Sequence, residues 1–210
     1  GTGMVGMSYS YSLLNQGTVE ELVLIDVNKE RAEGEAMDLN HGLSYAPRKM
    51  KIYAGKYSDC EDADIVVITA GVSQKEGETR IDLLNRNAAI MKSVVAQVMK
   101  SGFHGIIMVA SNPVDILTYV AWKASGLPSS KVIGSGTSLD TARLRFEIAQ
   151  KINISVKNIH AYIMGEHGDS EFVCWSNAYI GAKPLVEVIG TIDKIDFKDL
   201  EEIHNKVKNA

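Results

Sequence analysis

The chain has 210 residues, 45% of them hydrophobic and 23% charged, with a formal net charge of −4. That length allows one large domain or one domain and part of another, and the composition is that of an ordinary globular protein. The mild acidity gives no electrostatic case for nucleic acid, and no apolar run approaches the ~18–20 residues of a membrane-spanning helix.

Strands and helices are expected to alternate. Met4 to Gln16 reads as a helix that Gly17 ends. Leu22 to Ile25 is a continuous apolar run closing at Asp26, the pattern of a parallel strand buried on both faces. Asn28 is placed to cap a helix running to about His41, and Lys51 to Ala54 is a short strand. Ile65 to Thr69 is the next buried strand, followed by a loop to Arg80 and a long helix from about Asp82 to Lys100. Gly105 to Ala110 is a strand, Val114 to Ser125 a helix and Lys131 to Gly134 a last short strand. This is the α/β, Rossmann-type doubly wound pattern, without the strand expected before Gly1.

After Gly136 the texture changes. Leu139 to about Ile152 is helical, His160 to Met164 and Phe172 to Trp175 alternate like strands, and Phe197 to Val207 is a charged amphipathic helix. Residues 1–134 are therefore expected to form a cofactor domain, and residues 135–210 the first part of an α+β catalytic domain. The chain opens inside a motif without a methionine, so its true N-terminus is expected upstream. Cys60 and Cys174 match no metal or redox spacing and suggest free thiols in a reducing cytoplasm.

Gly1-x-Gly3-x-x-Gly6 fits the dinucleotide fingerprint: a tight turn, close approach of a pyrophosphate, and helix-to-strand packing. The motif alone is weak, but Asp26 lies at the end of the next strand, near the spacing at which a carboxylate accepts from a ribose 2′-hydroxyl. A carboxylate there repels a 2′-phosphate and favours NAD over NADP. Arg31 and Tyr57 flank the adenine side or are simply surface residues. Gly71 to Arg80 follows a strand's C-terminal end, where ligands bind in this fold, and has the glycines and charges of a hinged lid. Asn112, before Pro113, suits a hydrogen bond to a substrate oxygen or equally an Asx turn with proline starting the helix.

Asp140 and Arg143 are three residues apart and share a helix face. Arg145 lies about 200° around from Arg143 and points nearly the other way. His167 stands in Gly165-Glu166-His167-Gly168-Asp169, 27 positions after Asp140. An imidazole in a glycine-rich turn, an orienting carboxylate and an arginine are the parts of a proton-transfer site for an anionic substrate. Read singly, each has a plainer explanation: a structural histidine, and a salt bridge on a solvated face.

Together these motifs resemble the lactate/malate dehydrogenase family, and within it the bacterial L-lactate dehydrogenases, over all 210 residues. The resemblance implies His167 as acid/base, Asp140 as its orienting carboxylate, Arg143 on the substrate carboxylate, Arg80 polarising the carbonyl and Asn112 at the reacting oxygen. It implies NAD contacts from Gly1, Gly3, Val5, Gly6, Asp26, Gly71, Val72, Asn112 and Ser135, with no metal. The expected reaction is NADH-dependent reduction of pyruvate to L-lactate, the fermentative step that regenerates NAD. Gln74 is neutral where malate dehydrogenases typically carry an arginine, which favours pyruvate over oxaloacetate. Arg145 and His160 match positions that bind fructose 1,6-bisphosphate in activatable members, and Asp38 to Gly42 resembles a helix at a subunit contact. A cytoplasmic homotetramer is implied, with catalytic helices and a pocket-shaping threonine beyond Ala210. The alternatives are a malate or other 2-hydroxyacid dehydrogenase, and a non-catalytic NAD-binding module.

Overall fold

Four-residue apolar runs separated by capped helices set the order of elements. The computed structural model describes residues 1–73, 77–189, 191 and 195–210. The chain divides into two units, Gly1–Gly134 and Ser135–Ala210.

The first unit runs α1 (Met4–Gln16), β1 (Glu21–Leu24), α2 (Lys29–Gly42), β2 (Lys51–Ala54), β3 (Ile65–Ile68), α3 (Arg80–Lys100), β4 (Ile106–Val109), α4 (Val114–Ser125) and β5 (Val132–Gly134). Gly17 adopts φ 60° and returns its N–H to the Leu13 carbonyl, which closes α1. The Asn28 side chain accepts from the Arg31 N–H and starts α2. Thr79 and Asp82 form a capping box: the Asp82 N–H donates to the Thr79 hydroxyl oxygen at 3.1 Å, while the Thr79 N–H donates back to the Asp82 carboxylate. That box begins α3 at Arg80, two residues before the expected start, so Arg80 opens a helix instead of ending a loop.

All strand pairs in this unit are parallel: β1 with β2, β3 with β4, and β4 with β5. They form two sheets, β1–β2 and β3–β4–β5, where a doubly wound fold has one. Gly1 and Thr2 lie between the ends of the two. The Thr2 N–H donates to Asp26, just after β1, and the Thr69 hydroxyl, just after β3, donates to the Gly1 carbonyl. One core joins Met91, Val95 and Val98 of α3 to Leu117 and Ala121 of α4 over Ile107 and Val109 of β4. A second packs Leu14, Ala36 and Leu39 against Leu24 and Ile52.

The second unit holds α5 (Ser138–Ile152), β6 (Ile159–His160), β7 (Ile163–Met164), β8 (Phe172–Val173), β9 (Tyr179–Ile180), β10 (Lys183–Pro184), α6 (Leu185–Val188) and α7 (Phe197–Lys208). The strand expected over His160–Met164 is two strands in different sheets: β6 pairs with β9, and β7 with β8, both antiparallel. Trp175 is not in a strand but opens a 3-10 turn, Trp175–Asn177. Two-residue strands carry too little alternation for β9 and β10 to stand out in a sequence. Leu144, Ile148 and Ile152 of α5 share a core with Leu200, Ile203 and Val207 of α7. Both stripes follow the helical three-and-four spacing. Among the described residues no helix is long and apolar enough to cross a membrane.

Candidate active site

At the glycine loop, Gly3 precedes α1, and no side chain caps that helix among the described residues. Its first N–H groups are therefore the unsatisfied donors that suit a phosphate. A Cβ at Gly3 would meet nothing within 4 Å, so the backbone is open to close approach. A Cβ at Gly6 would stand 2.1 Å from the Gly1 carbonyl oxygen and 2.9 Å from the Thr69 hydroxyl. Gly6 is therefore required by packing, because a backbone carbonyl cannot rotate away. Gly6→Ala is expected to cost about 1–3 kcal/mol of stability. A lower thermal midpoint and weaker NADH binding by fluorescence titration would show it; an unchanged midpoint would refute the clash.

Asp26 makes three hydrogen bonds within this loop: from the Thr2 N–H at 2.6 Å, the Thr2 hydroxyl at 3.1 Å and the Asn28 N–H at 2.9 Å. Burial alone would raise its pKa, but these bonds outweigh burial and hold the carboxyl below its ordinary value. A carboxylate has about four acceptor sites, so about one is left for a ribose hydroxyl. Asp26 thus builds the loop as well as facing it. Val5 is exposed in the first turn of α1. Arg31 is half-exposed and reaches Glu35 at 3.6 Å. Tyr57 packs against the core under β3. This set of residues fits a dinucleotide.

At the ends of β3 and β4, Gly71, Val72 and Asn112 are exposed. Buried Asn87 of α3 ties them together: its side-chain oxygen accepts from the Val72 N–H at 2.9 Å, and its amide donates to the Asn112 carbonyl at 3.4 Å. Ser111 donates to the Ala70 carbonyl at 2.7 Å. Asn87 does not stand out in the sequence, where a polar residue inside a helix carries no motif, and Ser111 stands out only as the start of Ser111-Asn112-Pro113. Gln74 lies outside the described residues, and so does the side chain of Arg80.

The second unit is organised by one buried carboxylate. Asp140 heads the core stripe of α5, four residues before Leu144, and is 2% exposed. It is therefore no solvated surface partner, and a carboxylate buried there needs compensating groups. His167 Nδ1 donates to Asp140 Oδ2 at 2.5 Å, and Arg143 Nη1 donates to Oδ1 at 3.2 Å. That bond sets the ring's tautomer, with Nδ1 as the donor toward Asp140. His167 rides on the loop between β7 and β8. Gly165 and Gly168 flank it with φ 93° and 142°, conformations that favour glycine. The hairpin is pinned to the start of α5, where the Thr137 hydroxyl donates to the Ile163 carbonyl at 2.7 Å and the Thr141 hydroxyl accepts from the Ile163 N–H at 3.0 Å. Ser135, just upstream, accepts from the Ser138 hydroxyl at 2.6 Å.

Arg145 takes different partners from Arg143. It donates to the Ala161 carbonyl at 3.0 Å and lies over the Tyr162 ring at 4.6 Å. His160, one residue before Ala161, is exposed. Glu171 was missed by sequence reasoning. It is 5% exposed and meets Asp140 from the far end of the His167 loop.

Dinucleotide binding in one unit and proton handling in the other are the two halves of an NAD-dependent dehydrogenase. The lactate/malate dehydrogenase NAD binding domain family matches residues 1–134, and the lactate/malate dehydrogenase alpha/beta C-terminal domain family matches residues 137–210. An L-lactate dehydrogenase of Lactococcus lactis subsp. cremoris is 59% identical over the whole chain, which spans 67% of that protein. A solved lactate dehydrogenase from a Medee basin deep-sea metagenome library is 69% identical, with a TM-score of 0.98 over all of this chain and 67% of its own. The minor L-lactate dehydrogenase of Enterococcus mundtii, solved with ligands bound, is 51% identical with a TM-score of 0.96 over all of this chain and 67% of its own. The chain belongs to the lactate/malate dehydrogenase family and spans about two thirds of the length of these relatives.

Proposed function

We propose that the protein reduces pyruvate reversibly to L-lactate with NADH, the step that regenerates NAD in fermentation. The observation that carries this reading is the buried Asp140 carboxylate holding His167 through Nδ1. When bound, the reduced cofactor supplies a hydride to the carbonyl carbon. His167 Nε2 hands its proton to the developing alkoxide, and in reverse takes the hydroxyl proton of lactate. Arg143 uses one nitrogen on Asp140, and the rest of its five-donor fork suits a carboxylate. Arg80 polarises the carbonyl and Asn112 assists at the reacting oxygen.

Gln74 sets the substrate. A neutral side chain leaves the second carboxylate of oxaloacetate unpaired, a cost of several kcal/mol in a dry site, or roughly a hundredfold in selectivity. NADH oxidation with pyruvate and with oxaloacetate tests the assignment. Pyruvate is expected to be preferred, and Gln74→Arg to shift preference toward oxaloacetate. Equal kcat/KM for both keto acids in the parent would reject it.

Arg145 and His160 form the proposed effector site for fructose 1,6-bisphosphate in a homotetramer. An anchored guanidinium and an exposed imidazole suit a phosphate dianion. Adding the bisphosphate is expected to lower the KM for pyruvate, and an unchanged KM at both mildly acidic and neutral pH would reject the site. The free thiols of Cys60 and Cys174 support a reducing cytoplasm as its place of work.

A further inference from the structure

Behind the His167–Asp140 pair lies a second carboxyl that the proposed reaction does not use. Glu171 ends the loop carrying His167, and its N–H donates to the Gly168 carbonyl at 3.1 Å. Its carboxyl lies beside that of Asp140. One polar atom from each of Asp140, His167 and Glu171 lies within 4.8 Å of the others. On its other side, Glu171 Oε1 stands 3.9 Å from Nε2 of His204 on α7. That is too long for a hydrogen bond, and neither atom has another hydrogen-bond partner among the described residues. Lys208, also on α7, donates to the Asp169 carbonyl.

Such a cluster can hold a metal ion or share a proton. Ligands about 2.0–2.2 Å from a tetrahedral ion lie roughly 3.3–3.6 Å from one another. Asp140 Oδ2 and His167 Nδ1 are 2.5 Å apart, a hydrogen-bond separation, so the cluster is built around protons. Two carboxyls in contact do not both ionise without a large cost. Asp140 accepts from both Arg143 and His167. Glu171 faces the charge of Asp140 on one side and His204 on the other. Burial, then Asp140, push the Glu171 carboxyl above its ordinary value, against the weaker pulls of His167 and Lys208. Burial, helped by Lys208, pushes the His204 imidazole below its ordinary value. Burial thus works against the charged forms of both Glu171 and His204, although their separation alone is that of an ion pair.

We propose that Glu171 is a positioning residue: its protonated carboxyl donates a hydrogen bond to Asp140 and fixes the carboxylate that orients His167. A neutral Glu171 also leaves the imidazolium facing one negative charge, not two.

This assignment rests on proton transfer at His167, but one of its tests does not. In the full-length enzyme, the His167 ring is titrated by NMR in the parent, Glu171→Gln and Glu171→Leu, alongside pH profiles of pyruvate reduction. Glutamine keeps a neutral donor, so its ring is expected to titrate at the parent's pH with kcat nearly unchanged. Leucine removes the donor, and kcat is expected to fall about tenfold with little change in KM. In that variant the alkaline limb should move to higher pH, because Asp140 without its donor holds the imidazolium more tightly. An ionised Glu171 would instead make the glutamine variant titrate about one unit lower, through loss of a nearby negative charge. That result, or a leucine variant indistinguishable from the parent, overturns the proposal. A parent without pyruvate reductase activity would reject the proposed function, and the ring titration would still decide the state of Glu171.

Discussion

Asp140→Asn is expected to lower kcat for pyruvate reduction by about 10²–10⁴-fold while leaving the fold intact. The residue is 2% exposed and has both oxygens committed, one to His167 and one to Arg143. An amide of the same shape has one oxygen and one NH2. It cannot accept from both partners, and whichever it turns its nitrogen toward meets a donor. If that partner is His167, the ring takes the wrong tautomer and Nε2 no longer carries the proton. The imidazolium also loses its counter-ion, so the alkaline limb of the rate profile should move to lower pH. Stopped-flow reduction across pH, with a thermal melt as control, checks both parts. An unchanged kcat and profile would remove Asp140 from its assigned role.

Arg143→Leu is expected to lower kcat/KM for pyruvate by about 10²–10³-fold. The guanidinium does two things at once: it compensates the buried Asp140, with its own side chain one-third exposed, and offers its remaining donors to the substrate carboxylate. Leucine removes both. Arg143→Lys separates them, because an ammonium restores the charge without the planar fork and should recover only part of the loss. A lysine variant equal to the parent would show that charge alone suffices. A lower kcat at unchanged KM would instead place Arg143 with Asp140 and away from the substrate.

Much of the cofactor unit was readable from local chemistry. Gly6 cannot bear a side chain, Asn28 caps a helix, and β1 and β3 are apolar runs of the length that parallel strands need. The start of α3 lies two residues before the expected Asp82, because Thr79, which reads as loop, has an acid three residues on and so carries a capping signal. In the second unit β9 and β10 escaped, since a two-residue strand has almost no period to detect, whereas β7 and β8 fall within the expected His160–Met164 and Phe172–Trp175. Glu171 escaped for a different reason. A glutamate in a polar loop reads as solvated, and only the packing of α5 and α7 around it makes it a buried acid.

What the chain determined by itself was local: the caps, the buried strands, the glycine loop, and the shared helix face of Asp140 and Arg143. These follow from interactions within a few residues, whose energies depend on residue type and spacing. Only the tertiary structure decided that Asp140 is buried, that Nδ1 of His167 faces it at 2.5 Å, and that Glu171 closes the cluster from behind. Residues 27 positions apart meet because Thr137 and Thr141 pin the β7–β8 hairpin to the start of α5. The meeting of Asp140, His167 and Glu171 depends on that packing, and no spacing along the chain encodes it.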